Sequence, residues 1–119
     1  MDKEIGGLSD DAKSVAFAFF PTQDSRASFH MQASGPSERS LAALVELLRA
    51  GVISVELHDR KSGACTFRPR VDFSALAGWQ MERMFNGELE RTSFNLWEPL
   101  TEERRNALLT ALSREQVDG

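Results

Sequence analysis

Residues 37–71 read SERSLAALVELLRAGVISVELHDRKSGACTFRPRV, and this stretch decides the fold. Ser37 is a short polar residue ahead of an apolar-periodic run, which is what a helix start requires because its oxygen can accept from a free backbone N–H. Leu41, Leu44, Val45 and Leu48 then recur at i, i+3, i+4 and i+7, one stripe of a helix over 37–50. Gly51 closes it, since glycine adopts the left-handed conformation at little cost. The period changes from 3.6 to 2 immediately afterwards. In VISVELHD, Ile53, Val55 and Leu57 alternate with Ser54, Glu56 and His58. In ACTFRPRV, Cys65, Phe67 and Val71 alternate with Thr66, Arg68 and Arg70. DRKSG between them supplies a loop with Gly63 at a positive-φ position, so residues 52–71 are expected to form an antiparallel hairpin. Pro69 has no N–H for a ladder, which places the second strand at a sheet edge.

Working outward, Ser9-Asp10-Asp11 begins a helix over 9–20. The stripe is Leu8, Ala12, Val15, Ala16 and Phe19, with acids at the positive end of the helix dipole. Val15, Phe17 and Phe19 also alternate as a strand would, and Pro21 ends the element under either reading. RASFHMQA (26–33) reads as a short strand broken by Gly35-Pro36. On the other side, Phe73, Ala77, Met81 and Met84 give the stripe of a helix near 74–85 that Asn86-Gly87 ends. TSFNLW (92–97) is extended or irregular. A last helix starts at Thr101 with Glu102 and Glu103 in its first turn and Leu108, Ala111 and Leu112 as its stripe. The order α, β, α, β, β, α, α predicts a compact α+β domain. A helix is followed by an antiparallel hairpin and two C-terminal helices, rather than a parallel βαβ sheet. It spans residues 1–119, with 1–8 and 114–119 as flexible ends.

The chain has 119 residues, 41% apolar and 27% charged, the composition of one globular domain and not of a disordered chain. One cysteine, Cys65, excludes an intramolecular disulfide. The acidic start MDKEIGGLSD carries no secretory signal, and no apolar run approaches membrane-spanning length. A cytoplasmic setting without membrane association is the expectation. The net charge of −4 disfavours polyanion binding by the whole surface. Yet residues 60–70 hold Arg60, Lys61, Arg68 and Arg70 without an acid, while residues 71–119 hold nine acids against five arginines. A basic hairpin thus sits on an acidic protein, either as a solvated turn or as a binding patch.

No phosphate loop, dinucleotide fingerprint, nucleophile elbow or HExxH is present, so neither a catalytic residue nor a cofactor is expected. His58 and Cys65 lie on opposite arms of the hairpin, but alternation puts Cys65 on the apolar face and His58 on the polar one. A buried free cysteine behaves as a small hydrophobe. Two histidines 28 positions apart and one cysteine supply no paired metal ligands. Trp79 falls off the Phe73, Ala77, Met81 stripe. It is therefore the candidate partner contact, tryptophan being enriched in interface hot spots. Trp97, beside Glu98-Pro99, is expected to pack a loop onto the core.

SERSLAALVELLRAG followed directly by VISVELHDRKSGACTFRPR resembles the recognition helix and wing of a winged helix-turn-helix. The tail PLTEERRNALLTAL is similar to the C-terminal helices of MarR-type regulators. The likeness covers roughly residues 8–71 plus that tail. It implies a DNA-binding transcription regulator in which Arg60, Lys61, Arg68 and Arg70 contact phosphates and Ser37, Arg39, Ser40 and Arg49 face a groove. The competing expectation is a protein-interaction module or inhibitor, of the sort a mobile element encodes. It would act through its acidic, aromatic C-terminal half. DNA and a protein partner both remain open at this stage, and an enzyme is a distant third.

Overall fold

Two serine caps set the geometry of the core. Ser9 Oγ accepts from the Ala12 N–H at 3.1 Å and starts α2, Asp10–Phe19. Ser37 Oγ accepts from the Ser40 N–H at 3.2 Å and starts α3, Glu38–Arg49. The structure, a computed structural model of the chain, describes residues 3–30, 34–59, 64–89 and 94–117. The side chains at 3–4, 29–30, 56–59, 64–65, 109 and 112–117 lie outside that description. A four-residue helix α1, Lys3–Gly6, precedes α2. The strands are β1 (Ala27–His30), β2 (Ser34–Pro36), β3 (Ile53–Asp59), β4 (Ala64–Pro69) and β5 (Trp97–Pro99). A 3-10 turn at Phe73–Ala75 leads into α4, Leu76–Phe85, and α5 spans Glu102–Val117. The protein is thus an α+β domain with small antiparallel sheets, as the order of periodicities predicts.

The helix over 37–50 forms, but its buried face is turned from the predicted stripe. Ser40, Ala43, Leu44 and Leu47 are buried, while Leu41, Val45 and Leu48 sit half-buried at the margins. Leu47 takes the place the sequence assigned to Val45. The reason is that α3 is packed from several sides, by α2, α5, β2 and β3. Such a helix needs an apolar arc wider than one seam. Gly51 has φ +75°; its N–H donates to Leu48 O at 3.0 Å, and the Val52 N–H donates to Leu47 O at 3.2 Å. The helix therefore closes and turns directly into β3.

The hairpin exists and recruits a third strand. The sheet order is β1-β4-β3, antiparallel throughout, so β4 lies in the middle and not at an edge. Pro69 is tolerated because β1 pairs only with 64–67. Two residues further on, β4 has no neighbour on that side for a proline N–H to serve. The Arg70 N–H donates to Val52 O at 2.8 Å and closes the base of the hairpin. Between Val55 and Leu57 the register shifts by one residue, a β-bulge in β3. Gly35-Pro36, read as a break, is instead part of β2, which pairs with β5: Ser34 faces Pro99 and Pro36 faces Trp97.

The core gathers Val15, Ala16, Phe20, Leu44, Leu47, Ile53, Phe67, Phe73, Leu76 and Leu108. Phe20, the C-cap of α2, is buried where Phe19 was expected and stacks on Phe73 at 6.2 Å. The amino-terminal segment, expected to be loose, contributes Ile5, fully buried, and Leu8.

Two outcomes follow. Leu47→Ala should cost about 2–5 kcal/mol in urea unfolding, the range for truncating a buried leucine, and Val45→Ala clearly less. Equal costs would contradict the observed face. At the entry to α4, Asp72 Oδ1 accepts from the Ser74 N–H at 2.9 Å, and this backbone hydrogen bond, then the Ser74 side chain, holds its carboxyl below the usual aspartate value. A lowered folded-state pKa gives stability that is present above the unfolded pKa and lost as pH falls through the folded one. The stability difference between the wild type and Asp72→Ala should therefore be flat from neutral pH down to about 4 and shrink below it. A difference that grows on acidification would contradict the cap.

Candidate functional site

Helix α4 presents two faces, and they are exchanged relative to the sequence reading. Leu76 and Arg83 are buried and Trp79 is half-buried against the core. Ala77 is exposed, and Met81, Met84 and Phe85 are 56%, 60% and 84% exposed. Of the stripe predicted to face inward, Phe73 is buried as expected, but Ala77, Met81 and Met84 face out. Trp79, predicted to reach a partner, faces in. The exchange is driven by a charged residue. Arg83 Nη1 donates to Ser14 Oγ at 3.0 Å, and its guanidinium lies 4.5 Å from the centre of the Trp79 ring. Lys13 Nζ approaches the same ring at 5.5 Å. Trp79 therefore meets α2 through the Lys13 cation, and Arg83 meets it through Ser14. With Trp79 and Arg83 committed inward, 3.6-residue geometry turns positions 77, 81, 84 and 85 outward.

The result is a continuous apolar band on one side of a ten-residue helix. Glu82 and Glu88 are exposed beside it, and the helix's own cation is the buried one. Soluble monomers rarely leave such a contiguous patch bare without a use for it. Methionine suits a recognition surface because its flexible, polarizable side chain adapts to different shapes. Around the helix from Met84, the next position toward the core is Gln80. It borders a pocket of about 140 Å³. Ser14, Gln80 and Arg83 form the polar part of the lining. Ala18, Leu89, Phe94 and Leu96 form the apolar part. Gln80 Oε1 is buried with no hydrogen-bond partner among the described residues.

The residues assigned to nucleic acid lie on α3, on β4 and just beyond it, with two outside the described residues. Arg39 Nε and Nη2 donate to Asp11 Oδ2 and Oδ1 at 2.7 and 2.9 Å, a fork that ties α3 to α2, and its guanidinium lies 4.4 Å from the centre of the Phe94 ring. Ser37 and Ser40 are buried and cannot face a groove. Glu46 accepts from the Ser9 N–H and Oγ–H at 2.8 and 2.6 Å. Arg49 is exposed at the end of α3, and Arg68 and Arg70 are exposed on β4 and just beyond it. Arg60 and Lys61 lie outside the described residues.

His58 and Cys65 are Cα partners across β3 and β4. The bulge adds one residue to β3, so the alternation that separated them in the sequence does not carry past Val55. Their side chains lie outside the described residues. Cys65 is also the register partner of Phe29. Among the described residues no group of three or more His, Cys, Asp or Glu is placed to hold a metal ion. None of the helices there is long and apolar enough to cross a membrane. Trp97 opens β5, 44% exposed, with its ring 5.8 Å from that of Phe19. No protein-family model matches this sequence, and comparison with curated proteins and with solved structures gives no significant match.

One sign could have revealed the outward face of α4. Leu76, Trp79 and Arg83 form an i, i+3, i+7 set in which the tryptophan can carry the cation, and Lys13 offers it a second.

Because the outward band is mostly exposed, Phe85→Ser and Met81→Ser should each change stability by less than about 0.5 kcal/mol, as surface substitutions do. Trp79→Ala should cost several times more in the same thermal or urea unfolding series. A large loss at Phe85 would show that this face is packed.

Proposed function

We propose that this chain is a non-enzymatic protein-interaction module that binds its partner through the outward face of α4. The observation that carries the reading is the exposed band of Ala77, Met81, Met84 and Phe85 on a helix whose tryptophan and arginine are turned inward. Aromatic and methionine side chains are enriched at the centres of protein interfaces, with charges at their rims. Glu82 and Glu88 beside the band favour a partner with an apolar centre and cationic margins. The single cysteine supports a cytoplasmic place of action.

A second reading, a winged-helix DNA-binding regulator, draws support from the succession of α3, Gly51 and the β3–β4 hairpin. It is favoured also by exposed Arg68 and Arg70, which suit phosphate contact. It stands behind the first because Arg39 is held by Asp11 and Ser40 is buried. The outer side of α3 then offers chiefly Glu38, Ala42 and Arg49, a poor set for reading base edges.

Affinity capture from the native host with the wild type, Met84→Asp/Phe85→Asp and Arg68→Ala/Arg70→Ala separates the two. The proposal expects a specific protein that the Met84/Phe85 variant loses by at least about tenfold, the size of one modest hot spot, and that the arginine variant keeps. Random duplex titrated at low salt should show no association up to tens of micromolar, where non-specific DNA binders commonly begin, at roughly 10⁻⁴–10⁻⁶ M. Duplex binding abolished by the arginine variant and untouched by the α4 variant would overturn the proposal.

A further inference from the structure

Resting on that docking reading, we infer that the pocket at the edge of the α4 band is an anchor site for one phenol ring, delivered as a tyrosine side chain of the docked partner. Three observations carry this. The first is size. The pocket measures about 140 Å³, and a protein cavity of roughly 150 Å³ accommodates a single benzene-sized ring. A short polar side chain would leave the apolar part of the lining uncovered.

The second is the split lining. Leu89, Phe94, Leu96 and Ala18 give the lining its apolar part and Ser14, Gln80 and Arg83 its polar part, with Arg83 Nη1 donating to Ser14 Oγ at 3.0 Å. Arg83 is a pure donor, whereas Gln80 Oε1 is a pure acceptor, buried and lacking a partner among the described residues. A buried acceptor left unmade is costly, so a ligand that supplies its donor gains more than an ordinary hydrogen bond gives. A phenol hydroxyl accepts from one group and donates to the other. A carboxylate offers only acceptors and would leave Gln80 Oε1 unmet, and a hydrocarbon ring would serve neither Oε1 nor Arg83.

The third is position. Gln80 is the helical neighbour of Met84 and Ala77, so a partner lying on the outward band has the pocket at its margin. A pocket beside an apolar surface is where interface anchors such as tyrosine sit. The chain itself contains no tyrosine, so the ring must come from another molecule, and no intrinsic phenol obscures its signal.

The test uses the full chain and small probes, with amide chemical shifts and Trp79 fluorescence as readouts. p-Cresol should shift Ser14, Gln80 and Leu96 and bind about tenfold tighter than toluene, which has the same shape without the hydroxyl. Gln80→Leu should erase that preference while leaving the fold intact. Ala18→Trp, at an exposed position on the pocket wall, should block both probes. N-acetyl-tyrosinamide should bind about tenfold tighter than N-acetyl-phenylalaninamide. Equal binding of p-cresol and toluene, or binding of neither, overturns the pocket assignment. p-Cresol binding without N-acetyl-tyrosinamide binding overturns the side-chain source, leaving a free phenol. None of these outcomes depends on partner capture. Failure of the docking reading would appear instead as capture indifferent to Met84→Asp/Phe85→Asp.

Discussion

The burial of α3 is the constraint on which the other elements depend. Ala43, Leu44 and Leu47 are essentially inaccessible, and burying side chains of that size is worth about 1.5–3 kcal/mol each for the leucines. The helix has to be covered on several sides at once. Two polar clamps fix how α2 covers it: the Ser9–Glu46 pair at one end and the Arg39–Asp11 fork at the other. Exposed pairs of this kind contribute little stability. Their role is to set register between helices whose apolar faces would tolerate several slides.

Once α2 is placed, α4 has little freedom. Its Leu76 enters the core with Phe73 and Phe20. Lys13 and Ser14, on the side of α2 that faces it, present a cation and a hydroxyl. A tryptophan that accepts cations on its ring and an arginine that reaches the hydroxyl complement that side better than methionines do. Burying a guanidinium carries a heavy desolvation cost. The ring of Trp79 and the Ser14 oxygen offset part of that cost. The consequence for function is geometric: every apolar residue of α4 that is not needed inside is turned to solvent together.

Much of the fold was legible. Ser37, the leucine period and Gly51 define α3. The shift to alternation at Ile53 defines the hairpin, and Asn86-Gly87 ends α4 with Gly87 at φ +71°. What escaped the sequence was long-range or ambiguous in phase. β1 joining β4, and Gly35-Pro36 pairing with β5, are contacts between distant segments that leave no local period. The bulge in β3 adds one residue while the sequence itself goes on alternating apolar and polar residue types, so nothing local announces it. The candidate site was missed at α4 because its wheel holds two apolar arcs. One holds Leu76 and Trp79 with a charge in it, and the other, Ala77, Met81, Met84 and Phe85, has none. Apolar periodicity selects the uncharged arc as the inner one. Only the cation-binding capacity of tryptophan, with Lys13 and Ser14 across from it, reverses that choice.

Hydroxyl-radical footprinting of the free chain, read residue by residue along 73–89, reports which face of α4 meets solvent. Met81, Met84 and Phe85 should be modified fast, Trp79 slowly, and Phe73 and Leu76 scarcely at all. Fast modification of Trp79 with protection of Met81 and Met84 would contradict this orientation, because α4 would then be turned the other way and its outward face would not be the one that meets a partner.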